Sequence, residues 1–217
     1  MLPTSLGSNF EKCVCGWHHV NNMPIKETAW EDVNATVLDA SGCEVFSQSN
    51  GSHKPGADLK CSLGGFSNKS TIYKKGNKSF DISSYRLTTE CSDKKLGKIE
   101  DIIEEINKRK NFAFYSIIAR QETADKILYD WYLIPSDFPA LDPALYTWHP
   151  KIGKNKAITG WETEPMNGCK MSVTFSMSSQ LWIKLVVTEE LKKCIVASCT
   201  VNRTRKINYI QLYESLV

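Results

Sequence analysis

Apolar residues recur at helical spacing over 27–41 (ETAWEDVNATVLDAS), at Trp30, Val33, Val37 and Leu38. That interval lays them on one face of a helix, and Gly42 is a natural stop. The pattern then changes. Residues 43–48 (CEVFSQ) predict a short strand and 49–56 (SNGSHKPG) a loop. Residues 57–63 (ADLKCSL) alternate, Gly64-Gly65 reads as a turn, and 66–73 (FSNKSTIY) as a second strand, so the two form a hairpin. Residues 80–90 are ambiguous, with Asp81 or Ser83 placed to cap a short helix. Residues 97–109 predict an amphipathic helix whose apolar face is Ile99, Ile102, Ile103 and Ile106. Residues 112–119 and 127–134 are apolar runs of strand length. Residues 135–168, rich in Pro, Gly and Trp, predict a long functional excursion. Residues 171–177, 181–187 and 207–213 predict three more strands. The succession predicts a mixed α/β (α+β) fold with one central mixed β-sheet flanked by helices. It reads as a single domain over 1–217, with a core at about 27–134 and further strands and loops in 135–217.

Composition narrows the function. The chain has 217 residues, 41% hydrophobic and 24% charged, enough for a buried core and too apolar for disorder. Net charge is +3, but its distribution matters more than the sum. Lys60, Lys69, Lys74, Lys75 and Lys78 share a stretch without an acid, 151–156 is KIGKNK, and 203–206 is RTRK. The acids gather instead at 100–105 (EDIIEE). A basic stripe apart from an acidic helix suits a polyanionic ligand. There is no G-x-S-x-G, no P-loop and no G-x-G-x-x-G, which argues against a serine hydrolase, a P-loop NTPase and a dinucleotide enzyme.

The first residues, MLPTSLGSNFEKC, show no basic and apolar leader pattern, and no apolar run approaches a membrane span. The expectation is an intracellular, cytoplasmic protein with no membrane partner and reduced thiols. Of the eight cysteines, Cys43, Cys61, Cys169, Cys194 and Cys199 lie in or beside apolar segments and read as small buried hydrophobes. Five N-x-[ST] sequons, at Asn34, Asn50, Asn68, Asn77 and Asn202, support a rival reading, a secreted disulfide-bonded glycoprotein domain. Cys13-Val-Cys15-Gly-Trp17-His18-His19 invites a zinc reading, yet it is crowded, because adjacent histidines ligate one ion poorly. The other reading is a packed N-terminal segment with Trp17 buried.

The stretch richest in chemistry is His53-Lys54-Pro55-Gly56-Ala57-Asp58-Leu59-Lys60, then Gly64-Gly65, then Ser67-Asn68-Lys69. Metal-dependent phosphodiester cleavage needs a hard cation held by oxygens beside the scissile phosphate. A lysine near the attacking water orients it and offsets charge. A carboxylate on one strand of a hairpin and a lysine on the other bring both to one edge of a sheet. Asp58 and Lys69 have that arrangement.

Pro55-Gly-Ala-Asp58 followed by Ser67-Asn68-Lys69 resembles the PD-(D/E)xK nucleases, and small type II restriction endonucleases in particular. The resemblance covers about residues 27–134 and implies a restriction-endonuclease-like core. It also implies a Mg2+-dependent, sequence-specific double-stranded DNA endonuclease. In that family the Asp and the (D/E) bind metal and the Lys serves the water. Asp58, Ser67, Lys69 and Glu31 are then the catalytic set, with Asp58, Ser67 and Glu31 toward the metal. Ser67 departs from the expected acid, so the missing charge falls to Glu31 on the preceding helix or to Glu90 downstream. Lys54, Lys75, Ser84, Arg86, Trp148, Lys151, Lys154 and Lys156 are the expected DNA contacts, and a homodimer would supply two strand scissions. A non-catalytic DNA-binding protein would use the same basic surface.

Overall fold

The computed structural model describes residues 2–48, 57–74, 78–87, 98–176, 179–203, 209–215 and 217. The chain opens with helices α1 (Leu6–Val20) and α2 (Glu27–Ala40). Strands β1 (Val45–Gln48), β2 (Leu59–Cys61), β3 (Gly64–Ile72) and β4 (Ser79–Arg86) follow. Helix α3 (Ile99–Arg109) leads to β5 (Phe114–Glu122) and β6 (Lys126–Pro135). Two 3-10 turns, Pro139–Leu141 and Pro143–Leu145, precede β7 (Trp148–Ile152), β8 (Ile158–Thr163), β9 (Cys169–Thr174) and β10 (Gln180–Val186). The short α4 (Glu189–Lys192), β11 (Ile195–Asn202) and α5 (Tyr209–Glu214) complete it.

The fold is mixed α+β, but among the described residues the strands form two sheets, not one. The first sheet has six strands in the order β1-β2-β3-β5-β6-β11; β3 and β5 run parallel and the other neighbours antiparallel. The second has five, β4-β10-β9-β8-β7, all antiparallel. The chain crosses between them at the end of β3, where the Thr71 hydroxyl donates to the Asp81 carbonyl at 2.7 Å.

The six-stranded sheet is covered on both faces. On one side α1 and α2 bury Phe10, Val14, Trp30, Val33, Val37 and Leu38 against Phe66, Ile118, Tyr129, Trp131 and Leu133. On the other, the second sheet and α3 pack Phe80, Ile102, Ile106, Val173 and Ile183 against Tyr115, Ile117, Tyr132 and Ile134. Burial on both faces is why 112–119 and 127–134 read as continuous apolar runs instead of alternating ones. The helix α2 ends where its spacing predicts: Cys43 N–H donates to the Leu38 carbonyl, and Gly42 takes the φ of 83° that this reversal needs. Trp30 and Trp131 meet edge to face at 5.6 Å, and their indole N–H groups donate to the carbonyl and hydroxyl of Ser116.

Several expectations are corrected. Residues 79–86 form a strand, because β10 supplies a ladder that local sequence does not reveal. Within 135–168, where no strand was expected, Trp148–Ile152 and Ile158–Thr163 pair as the β7–β8 hairpin. Residues 209–214 are helical, not a last strand, since a short apolar run does not distinguish the two by period. Helix α1 and strand β11 were not expected. Among the described residues no helix is long and apolar enough to cross a membrane. Trp30→Ala is expected to lower stability by about 3–5 kcal/mol, read as a lower urea midpoint, because it empties the centre of the helix-facing core.

Candidate active site

The ladder between β2 and β3 is short, pairing only Leu59–Cys61 with Gly64–Phe66. Just past its end the Asp58 N–H donates to the Phe66 carbonyl at 2.8 Å. The Asp58 carboxylate then substitutes for a strand: its Oδ2 accepts the Asn68 N–H at 2.7 Å. The Ser67 hydroxyl lies 3.4 Å from the same oxygen and Lys69 Nζ 3.5 Å. Lys69 Nζ also donates to the Asn68 carbonyl at 2.7 Å and sits 3.6 Å from Glu27 Oε1 on α2. A carboxylate that accepts a backbone N–H and faces an ammonium is held in one orientation.

Glu31 lies one helical turn after Glu27 on the same face of α2. Its carboxyl is pushed up to about 7, first by burial, then by the negative charges of Asp58 and Glu27, against the pull of Lys69; Asp32 adds to the rise. Glu27 and Asp58 thus flank one ammonium, and Glu31 lies near enough to feel the charge of all three. Glu27 was absent from the expected set. The signal for it was the i, i+4 spacing to Glu31.

The helix is fixed over the strand by a buried amide pair. Asn34 Nδ2 donates to Asn68 Oδ1 at 2.6 Å, and both residues are fully buried. Two of the five sequon asparagines are therefore core residues with no room for a glycan. Asn202 is exposed, and Asn50 and Asn77 lie outside the described residues.

Of the expected catalytic residues, Asp58, Ser67 and Lys69 come together directly, and Glu31 joins them by charge. Glu90 lies outside the described residues. So do Lys54 and Lys75 among the expected DNA contacts, and the side chain of Arg86, whose backbone pairs with Gln180 at the end of β4. Ser84 shares a 3.0 Å hydrogen bond with the Tyr115 hydroxyl. Lys154 and Lys156 are exposed at the β7–β8 turn, and Lys151 donates to Thr174 Oγ1. Trp148 is half-buried against the inter-sheet core, its indole N–H donating to the Pro143 carbonyl. His149 is exposed.

The N-terminal Cys and His residues are dispersed over α1. His18 is buried, its Nε2 2.9 Å from the Tyr129 hydroxyl, and burial lowers its pKa. Cys15 and His19 are exposed, and Trp17 is only half-buried, donating to the Met23 carbonyl. The seven described cysteines are free thiols; Cys43, Cys61, Cys169 and Cys199 are buried and Cys194 half-buried.

The donor set around Lys69 fits a hard divalent cation in kind: carboxylate and carbonyl oxygens, with more negative than positive charge. The fit is incomplete in geometry. Among the described residues, no three His, Cys, Asp or Glu side chains converge on one metal position. Compared with known proteins, the chain matches no family model, no curated protein and no solved structure.

Because the folded-state pKa of Glu31 lies above its ordinary 4.5, the stability it contributes is fully present below about pH 4.5 and is lost as pH rises through about 7. Glu31→Gln is therefore expected to stabilise the metal-free chain by about 1–2 kcal/mol at pH 8, after allowance for solvent screening, and by nothing at pH 4. Thermal unfolding at the two pH values checks this.

Proposed function

We propose that the chain is a Mg2+-dependent, sequence-specific double-stranded DNA endonuclease of the restriction type, hydrolysing phosphodiester bonds. The observation that carries this reading is the pairing of Asp58 with Lys69 where β2 stops pairing with β3, with Glu31 near enough to feel both charges. Further support comes from the order of elements. A helix bearing the acidic pair precedes an antiparallel β1-β2-β3 group, and α3 and the parallel β5 follow β4. That succession is the one the PD-(D/E)xK resemblance implies.

Asp58 and Glu31 would hold the cation, joined by the Asn68 carbonyl, with Ser67 contributing directly or through water. Mg2+, when bound, lowers the pKa of a coordinated water and offsets charge on the phosphate. Lys69 orients the attacking water and donates to the developing oxyanion. The lysines of the β7–β8 turn bind phosphates, which makes affinity fall with salt. A homodimer brings two such sites to one duplex.

The incomplete convergence of the carboxylates favours a second reading, a DNA-binding protein without catalysis. Digestion of long mixed-sequence duplex DNA with Mg2+ or with EDTA separates the two. The nuclease reading expects discrete Mg2+-dependent fragments, reduced about a hundredfold or more by Asp58→Ala and by Lys69→Ala. A gel shift indifferent to EDTA and to both substitutions, without cleavage, supports the binding protein instead.

A further inference from the structure

Lys69 stands where a metal would have to stand. Its ammonium donates to the Asn68 carbonyl at 2.7 Å and lies 3.5 Å from Asp58 Oδ2. These are two of the oxygens that the nuclease reading gives to the cation. An ammonium and a divalent ion this close each weaken the other's hold on these oxygens, since like charges repel strongly in a partly desolvated site. Among the described residues the ammonium's other ion-pair partner is Glu27, with Oε1 at 3.6 Å. Glu27 differs from the other acids in position. Its side chain is 58% exposed, against 23% for Asp58, and it starts the first turn of α2 at the rim of the cluster.

We propose that Lys69 and a divalent cation compete for the oxygens of Asp58 and Asn68, and that Glu27 receives the Lys69 ammonium when the cation takes them. The inference rests on the nuclease reading. Lys69 is then the counter-ion of the metal-free site and keeps the carboxylates from collapsing or repelling apart. On metal entry it shifts to Glu27 and remains beside the site to hold water. Glu27 is a positioning residue, because it acts through Lys69 and touches neither cation nor substrate.

Charge removal alone gives opposite signs for the two substitutions, so the competition is read from the dependence of the Glu27 effect on Lys69. Titration calorimetry of the metal-free protein with Mg2+ alone, and with Ca2+ alone, reads both without any cleavage assay. Lys69→Met is expected to tighten binding about tenfold, since it removes the competitor and keeps the side-chain volume. Glu27→Gln is expected to weaken it about fivefold in the wild-type background and by less than about twofold in the Lys69→Met background. Lys60→Met, an exposed lysine on β2, controls for general charge and is expected to change affinity by less than about twofold. If Lys69→Met fails to fold by circular dichroism, Lys69→Gln replaces it.

A Glu27→Gln effect of equal size in both backgrounds would make Glu27 a direct ligand and overturn the proposal. So would a Glu27→Gln protein that binds like the wild type, or a Lys69→Met protein that binds no more tightly. Mg2+ binding absent from all the proteins would sink the nuclease reading itself, a different failure from a flat cycle with binding intact.

Discussion

The six-stranded sheet is buried on both faces, and this constraint governs where charge can sit. Two helices cover one face and a second sheet covers the other, so a carboxylate or ammonium pointing from its centre would be stranded without water. One place that admits charged groups is an interruption of the ladder. That happens where β2 gives out beside β3. There the Asn68 N–H still needs an acceptor, and Asp58 supplies it with a side chain instead of a backbone carbonyl. One hydrogen bond closes the gap in the ladder and fixes the carboxylate at the site.

Helix α2 links this gap to the core. Trp30, Val33, Val37 and Leu38 bury its apolar side, while Glu27 and Glu31 flank Lys69 from the same helix. One turn further along α2 lies the Asn34–Asn68 hydrogen bond. It leaves Asn34 Oδ1 and Asn68 Nδ2 buried without partners, so an apolar pair would suit the core at least as well. The physical effect of such a pair is register: α2 cannot slide or rotate over β3 without breaking it. The spacing between the helix carboxylates and Lys69 is thereby set by an interaction outside the charged cluster.

The same amide pair bears on the rival reading as a secreted glycoprotein domain. Asn34 and Asn68 sit in sequons yet are core residues, and the described cysteines are free thiols, most of them packed among apolar side chains. Polar sequence motifs were read as surface features. Packing turned two of them inward, where a hydrogen bond between them offsets part of the penalty for burying an amide.

Local order was legible wherever one element carries its own period. Helices α2 and α3, the β2–β3 hairpin and the strand runs of β5, β6, β9 and β10 follow from spacing, because each buries a face that its own residues define; the hairpin's turn, however, falls at Ser62-Leu63, and Gly64-Gly65, expected to form it, are strand residues paired with Cys61 and Lys60. The pairing of Asp58 with Ser67 and Lys69 is part of that, since a tight hairpin brings these positions together by itself. Glu31 was reached from the order of elements. Strand β4 and the division into two sheets depend on partners far away in the chain, and a ladder partner leaves no mark on the strand it stabilises. Glu27 and the seat of the Lys69 ammonium were likewise decided in three dimensions. The sequence by itself determined which hard-oxygen donors and which cation were available, and only the tertiary structure decided that they face one another, because the Coulomb interactions that define the site depend on distances across elements rather than along them.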